Sequence, residues 1–176
     1  MVIMGSSLTN LAMRRVDTLS LSLIHGTSDD GQEACESYIY LNQVNTGIIV
    51  PVCWLEVAVL LEDGRYLLLA TDENPFEQTL EILLIDLQEG VQERVGLFLI
   101  YHDGLLKNVC VYDSCLAFSY FNTEIWRLSV SQKKRCSFPF RGWLAMGGAA
   151  FRFHRYLHIM QVSRDSRGDI HDCGNV

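Results

Sequence analysis

Basic residues are almost missing from one long stretch of this 176-residue chain. Between positions 29 and 103 there are two, Arg65 and Arg94, against fifteen Asp and Glu. From Arg127 onward the balance reverses, with nine Lys and Arg against three acids, Asp165, Asp169 and Asp172. Such a division makes an electrostatic dipole that can steer a charged macromolecule. A membrane-spanning run is also missing. Ile48 to Leu61 is interrupted by Glu56, and Trp143 to Phe151 is short of the roughly 18 to 20 apolar residues a spanning helix needs. No membrane partner is therefore expected. There is no GxSxG, no Walker loop, no GxGxxG after a strand and no EF-hand loop, which weakens the case for an enzyme. No cofactor and no metal are expected.

The six cysteines, Cys35, Cys53, Cys110, Cys115, Cys136 and Cys173, form no CxxC and keep no regular spacing. A zinc site is disfavoured, and reduced structural thiols are expected. In the stretch MVIMGSSLTNLAMRR the pair Arg14 and Arg15 follows the apolar residues instead of preceding them, unlike a secretion signal. A cytoplasmic location is expected.

What the chain does have is a β pattern. Thr18 to Ile24 alternates Leu with Ser and Thr, and Ser37 to Leu41 repeats this with Tyr38 and Tyr40. Trp54 to Leu61 and Tyr66 to Ala70 flank Glu62-Asp63-Gly64-Arg65, which predicts a hairpin with a type I′ turn at Asp-Gly. Residues 74 to 90 admit two readings. Asn74-Pro75-Phe76-Glu77 has the residues of a helix start, and Phe76, Leu80, Leu83, Leu84 and Leu87 would share a helical face. The apolar run Leu80 to Leu87, closed by Gln88-Glu89-Gly90, suits a strand of a meander instead, and the strand reading is preferred. Further strands are expected at Val95 to Tyr101, Asn108 to Tyr112, Leu116 to Phe121 and Ile125 to Val130. Gly142 to Gly148 reads as irregular or a short helix, and Phe151 to Val162 as a strand or a helix.

The fold class is therefore mainly β, with a β-rich α+β fold as the alternative. The expected architecture is a single-domain antiparallel meander, a sandwich or a strongly curved barrel-like sheet, with few short helices. Residues 1–16 are expected to be a flexible N-terminal segment, 17–162 the β-rich domain and 163–176 a disordered polar tail. No repeat of fixed period is visible.

Several groupings invite a chemical reading. His154 and His158 would share a helical face as half of a metal site, but no HExxH glutamate and no third ligand accompany them. A basic contact face with Arg152 and Arg155 is the alternative. Lys133-Lys134-Arg135, with Arg127, Arg141, Phe138, Phe140 and Trp143, has the composition of a nucleic-acid patch. The acidic pI of about 5.1 argues against a nucleic-acid partner, and a solvated hairpin tip accounts for the basic run. His102 and Asp103 beside Cys110 and Cys115 suggest a nucleophile with a base, although HDG at a strand end is more simply a turn. An enzyme would use His102, Asp103 or His154. A ligand-binding β-barrel would need Trp54, Phe98, Tyr101, Phe118 and Trp126 around a cavity.

The acids are the strongest candidates for a site. Glu62 and Asp63 fall on a loop tip, Asp72, Glu73, Glu77 and Glu81 within one segment, and Glu89 and Glu93 on the next connection. In a meander these connections can lie at one sheet edge and converge on a basic protein. In general character, from the EDGR hairpin through the DENPFE turn to the LLIDLQEG run, the chain resembles bacterial immunity proteins of contact-dependent inhibition and type VI secretion systems. The resemblance covers about Thr18 to Val162 in pattern only. It implies stoichiometric binding of a cognate toxin protein with a basic surface, no enzymatic activity, and a monomer or weak homodimer. Glu62, Asp63, Asp72, Glu73, Glu77, Glu89 and Glu93 would make the contact.

Overall fold

The computed structural model describes residues 10–24, 35–71, 79–98, 104–121, 124–136 and 154–162. Every regular element among them is a strand, and together they form three antiparallel sheets that do not close into a barrel. The first sheet is a meander of β2 (Leu19–Ile24), β3 (Glu36–Leu41) and β4 (Val44–Val50). The second contains β5 (Trp54–Leu61), β6 (Tyr66–Thr71), β7 (Leu80–Asp86) and β8 (Gly90–Leu97), with the short β1 (Met13–Arg15) added outside β5. The third runs through β9 (Lys107–Val111), β10 (Leu116–Tyr120), β11 (Glu124–Cys136) and β12 (His154–Val162).

The second sheet is the middle layer. Side chains alternate between the two faces of a strand, and here both faces are covered. Leu67, Leu69, Ile82 and Leu84 pack with Leu116, Phe118, Trp126, Leu128 and Leu157 of the third sheet. Leu68, Ala70, Leu83 and Ile85 pack with Leu19, Ile39 and Val50 of the first sheet. This explains why YLLLAT and LEILLI are nearly unbroken apolar runs: every position of β6 is buried, and every position of β7 up to Ile85. It also decides residues 80 to 86, which are strand. Residues 72–78, with the proposed helix start, lie outside the described residues, as do Gly142 to Gly148 and the tail from 163.

Several expectations are corrected. The N-terminal segment is held from Asn10 onward. Leu11 and Met13 are buried, Leu11 N donates to Val130 O at 2.8 Å, and Met13 N donates to Asp113 O at 2.8 Å. The β5–β6 turn is not type I′. Gly64 takes the positive φ of 88°, Gly64 N donates to Leu61 O at 3.0 Å, and Leu61 N donates to Arg65 O at 2.9 Å. This is a type I turn followed by a left-handed glycine, the usual three-residue hairpin loop. A type I′ turn occurs instead at Asn42-Gln43 between β3 and β4, where both residues have positive φ. Lys133-Lys134-Arg135 is not a hairpin tip but lies within β11, where the pairing with β12 shifts register between Val130 and Arg135. Cys35 and Cys53 are not separate thiols: they form a disulfide with Cα atoms 5.6 Å apart, at the base of the β3–β4 hairpin.

Candidate protein-binding edge

In a meander, alternate turns fall at the same end of the sheet. The β5–β6 turn carries Glu62 and Asp63, and the β7–β8 turn carries Glu89, so these acids share one end of the middle sheet. Glu62, Asp63 and Glu89 are all exposed. Asp63 is the most constrained. Arg65 N and Nε donate to it at 3.2 and 2.9 Å, and Arg65 Nη2 lies 2.7 Å from Oδ2. Asp86 fixes the neighbouring turn by accepting from Gln88 N at 2.8 Å and Glu89 N at 3.0 Å. The Glu89 and Gln88 amides, and then the Arg65 charge, hold the Asp86 carboxyl below the usual range.

The remaining predicted acids are Asp72, Glu73, Glu77 and Glu93. Thr71 pairs with Leu80 at the opposite end of the sheet, so the connection carrying Asp72, Glu73 and Glu77 leaves from there. Those three residues lie outside the described residues. Glu93 is not on a connection. It is inside β8, 7% exposed, on the face turned to the third sheet. Its Oε2 accepts from Tyr156 N at 2.7 Å and Leu157 N at 3.3 Å, so it bolts β12 to the middle sheet. Burial pushes its carboxyl up. The Tyr156 and Leu157 amides, then Arg155 and Lys134, oppose that rise only in part. Glu93 is therefore unavailable to a partner at the surface. Of the seven acids expected to converge, Glu62, Asp63 and Glu89 share this end, Glu93 does not, and Asp72, Glu73 and Glu77 lie outside the described residues.

Beside these tips, the basic bulge of β11 meets the acidic hairpins. Arg65 reaches across to donate to Ser131 O at 3.1 Å and stacks over the Tyr156 ring, 4.5 Å from its centroid. Lys134 Nζ lies 5.3 Å from the same ring. The two halves of the charge division thus touch at this edge. Arg65 has no sequence motif, but it is one of the two cations in the acidic stretch, and that rarity is the signal that could have singled it out. The other, Arg94, is held by Glu81 through two hydrogen bonds of 2.9 and 2.8 Å. The Glu81 hydrogen bond raises the Arg94 pKa further.

His102 and Asp103 lie outside the described residues. His158 sits on a strand, with Nε2 3.2 Å from Ser131 Oγ. Ser131 is 1% exposed, and its hydroxyl donates to Lys133 O at 2.7 Å. This contact ties the β11 bulge to β12 and offers no exposed nucleophile. Burial, and then Arg135, lower the His158 pKa. Of the aromatics proposed to line a barrel cavity, Phe118 and Trp126 are each 1% exposed in the core, Trp54 is 58% exposed, and Tyr101 lies outside the described residues. Among the described residues, no group of three or more His, Cys, Asp or Glu side chains is placed to hold a metal ion, and no helix is long and apolar enough to cross a membrane. Comparison with protein-family models, with characterised proteins and with solved structures returned no match.

Proposed function

We propose that this chain acts by binding rather than by catalysis, and that it neutralises a bacterial toxin domain by one-to-one attachment over the toxin's active site in the cytoplasm. One observation carries the reading. Both cations of the acidic stretch are already engaged, Arg65 by Asp63 and Arg94 by Glu81. Glu62 and Glu89 are left as exposed acids at the same sheet end, on short turns fixed by Gly64 and Asp86. Charges on rigid tips accelerate encounter with an oppositely charged surface and select against like-charged ones. A basic partner fits this edge.

The test is co-expression with a candidate toxin domain, followed by affinity capture and sizing at low and high salt. A 1:1 complex that rescues growth supports the proposal. Glu62→Lys with Glu89→Lys is expected to slow association at least ~10-fold at low salt, with little change at high salt. Unchanged association rates would remove the acidic tips from the contact, and absence of any complex would overturn the toxin reading. The disulfide bears on the compartment, because such bonds persist where conditions are oxidising. Thiol titration of freshly isolated protein decides this. Full reactivity of Cys35 and Cys53 fits the cytoplasm, and their protection places the protein in an oxidising compartment.

A further inference from the structure

Three meanders stack in chain order, and the first and third sheets each turn one face away from the middle one. On the first sheet Ile39 and Val50 point inward, so the alternate positions point outward. Register places Ser20 beside Tyr40, Ser22 beside Tyr38, and Ile49 on the other side of Tyr38. Glu36 shares this face at the end where β3 begins. Ser20, Ser22, Glu36 and Ile49 are exposed, and both tyrosines are half-buried. Asn45 Nδ2 donates to Tyr40 Oη at 3.5 Å, which steadies that ring. On the third sheet, by contrast, the outward Ala117 is 6% exposed, and Arg127 stands opposite it.

The first sheet's outer face has the composition of a protein-contact surface. Tyr supplies rigid, amphipathic area at low entropic cost, and Ser and Asn supply adaptable hydrogen bonds. Tyr is also among the residues that carry most of the binding energy at interfaces. The face holds one acid and no base, and no Lys or Arg occurs from Val16 to Gly64. An aromatic ring attracts a cation to its face. This chain already uses that pairing at Tyr156, with Arg65 4.5 Å and Lys134 5.3 Å from the ring centroid. The strands of the first sheet offer Tyr38 and Tyr40 no cation. A partner bearing Arg or Lys supplies one, whereas the same face of a second copy does not.

Size and position say how far such a partner reaches. Three strands ~4.8 Å apart, rising ~3.3 Å per residue, make a face of roughly 300 Å². A specific interface buries about 800 Å² on each partner, so the contact must extend past this sheet. The Cys35–Cys53 link sets the starts of β3 and β5 side by side, and both strands run away from it. Leu41, Leu60 and Leu87 then pack on one core. The Asn42-Gln43 turn therefore lies at the end that carries Glu62 and Glu89, with Val44, 67% exposed, at the corner. We infer that the basic partner covers the outer face of the first sheet, with Arg or Lys side chains over Tyr38 and Tyr40. Its footprint continues round the Val44 corner to Glu62 and Glu89. This rests on the reading of that acidic end as a docking site for a basic protein. The tyrosines slow dissociation, and the acids speed association.

The test uses the whole chain and NMR shift mapping with a synthetic peptide of alternating Arg and Ser. The same peptide with citrulline for Arg is the neutral control. The Arg peptide is expected to shift the Tyr38 and Tyr40 ring signals and the Glu62 and Glu89 amides, and the citrulline peptide neither. Tyr38→Leu with Tyr40→Leu is expected to weaken binding ~5-fold or more, and Tyr38→Phe with Tyr40→Phe to bind as the parent, because Phe keeps the ring face. Circular dichroism verifies folding, and the ring shifts of the parent need no variant. Shifts at the acidic end alone leave the docking reading standing and overturn the tyrosine face. Ring shifts alone keep the tyrosine face and remove the acidic tips from the docking site. Silence at both, equal shifts with the citrulline peptide, or Leu variants that bind as the parent overturn the inference.

Discussion

The two faces of the middle sheet are held by different means. Toward the third sheet the interface is thick and aromatic, with Phe118, Tyr120 and Trp126 fully buried. Polar bolts reinforce it, from Arg65 to the Ser131 carbonyl and from the Tyr156 and Leu157 amides to Glu93. Toward the first sheet the interface is thinner, built from Leu19, Ile39, Val50, Val52 and the middle-sheet residues Ala58, Leu68, Ala70 and Leu83. There a covalent link, Cys35–Cys53, anchors the β3–β4 hairpin where β5 begins. Large buried side chains supply stabilisation through area and dispersion. A small three-stranded sheet has less area to bury, and a cross-link limits instead the freedom of the unfolded chain.

This contrast can be broken from either side. Trp126→Ala is expected to have the largest effect, a loss of about 3–5 kcal/mol in denaturant unfolding, because it opens a cavity in the thick interface. Trp126→Phe is expected to cost much less, since the indole Nε1 has no hydrogen-bond partner among the described residues. Next in size is Cys53→Ser. Removing a link that spans 18 positions is expected to cost about 3 kcal/mol under oxidising conditions and nothing extra under reducing ones. Hydrogen exchange is expected to rise first in β3 and β4, and equal loosening of β10 to β12 would contradict the division of labour. Gly104→Ala is expected to cost about 1–3 kcal/mol, because a Cβ there would meet the Tyr120 ring, which is 1% exposed in the thick core.

Glu93 sharpens the comparison through pH. Its carboxyl is raised in the folded protein, so the folded state holds that proton at pH values where the unfolded chain has released it. Its contribution is therefore fully present below the unfolded value near 4.5 and is lost as pH rises through the folded one. The urea midpoint of the parent is expected to fall relative to Glu93→Gln as pH rises across that window, with Gln still able to accept from the Tyr156 and Leu157 amides. Parallel midpoint curves would mean that Glu93 is not desolvated.

The hairpin strands could be read from the chain because a strand declares itself within five to eight residues. Leu19–Ile24 alternates because one face meets solvent, and Tyr66–Thr71 does not because neither does. β4 was harder to see, since Val44–Val50 contains Gly47 and exposes Val44, Asn45 and Ile49 on an edge strand. The repeat of three meanders leaves no fixed period because the connections differ in length: β6 starts at Tyr66 and β10 at Leu116, whereas β8 starts at Gly90 and β12 at His154. The acidic tips Glu62 and Glu89 were legible from turn chemistry. Glu93 was misread because three positions of sequence separate it from Gly90, and only the pleat decides which way it points.

The sequence by itself determined most of the strands, though not β1 and β4, together with the places of the hairpin tips and the division of charge, since period, turn residues and composition are local properties. Only the tertiary structure decided that the middle sheet would be covered twice, that Cys35 would meet Cys53, and that Arg65 and Glu93 would cross to the third sheet. Those outcomes depend on which faces stack, and stacking is chosen by the summed fit of residues far apart in the chain.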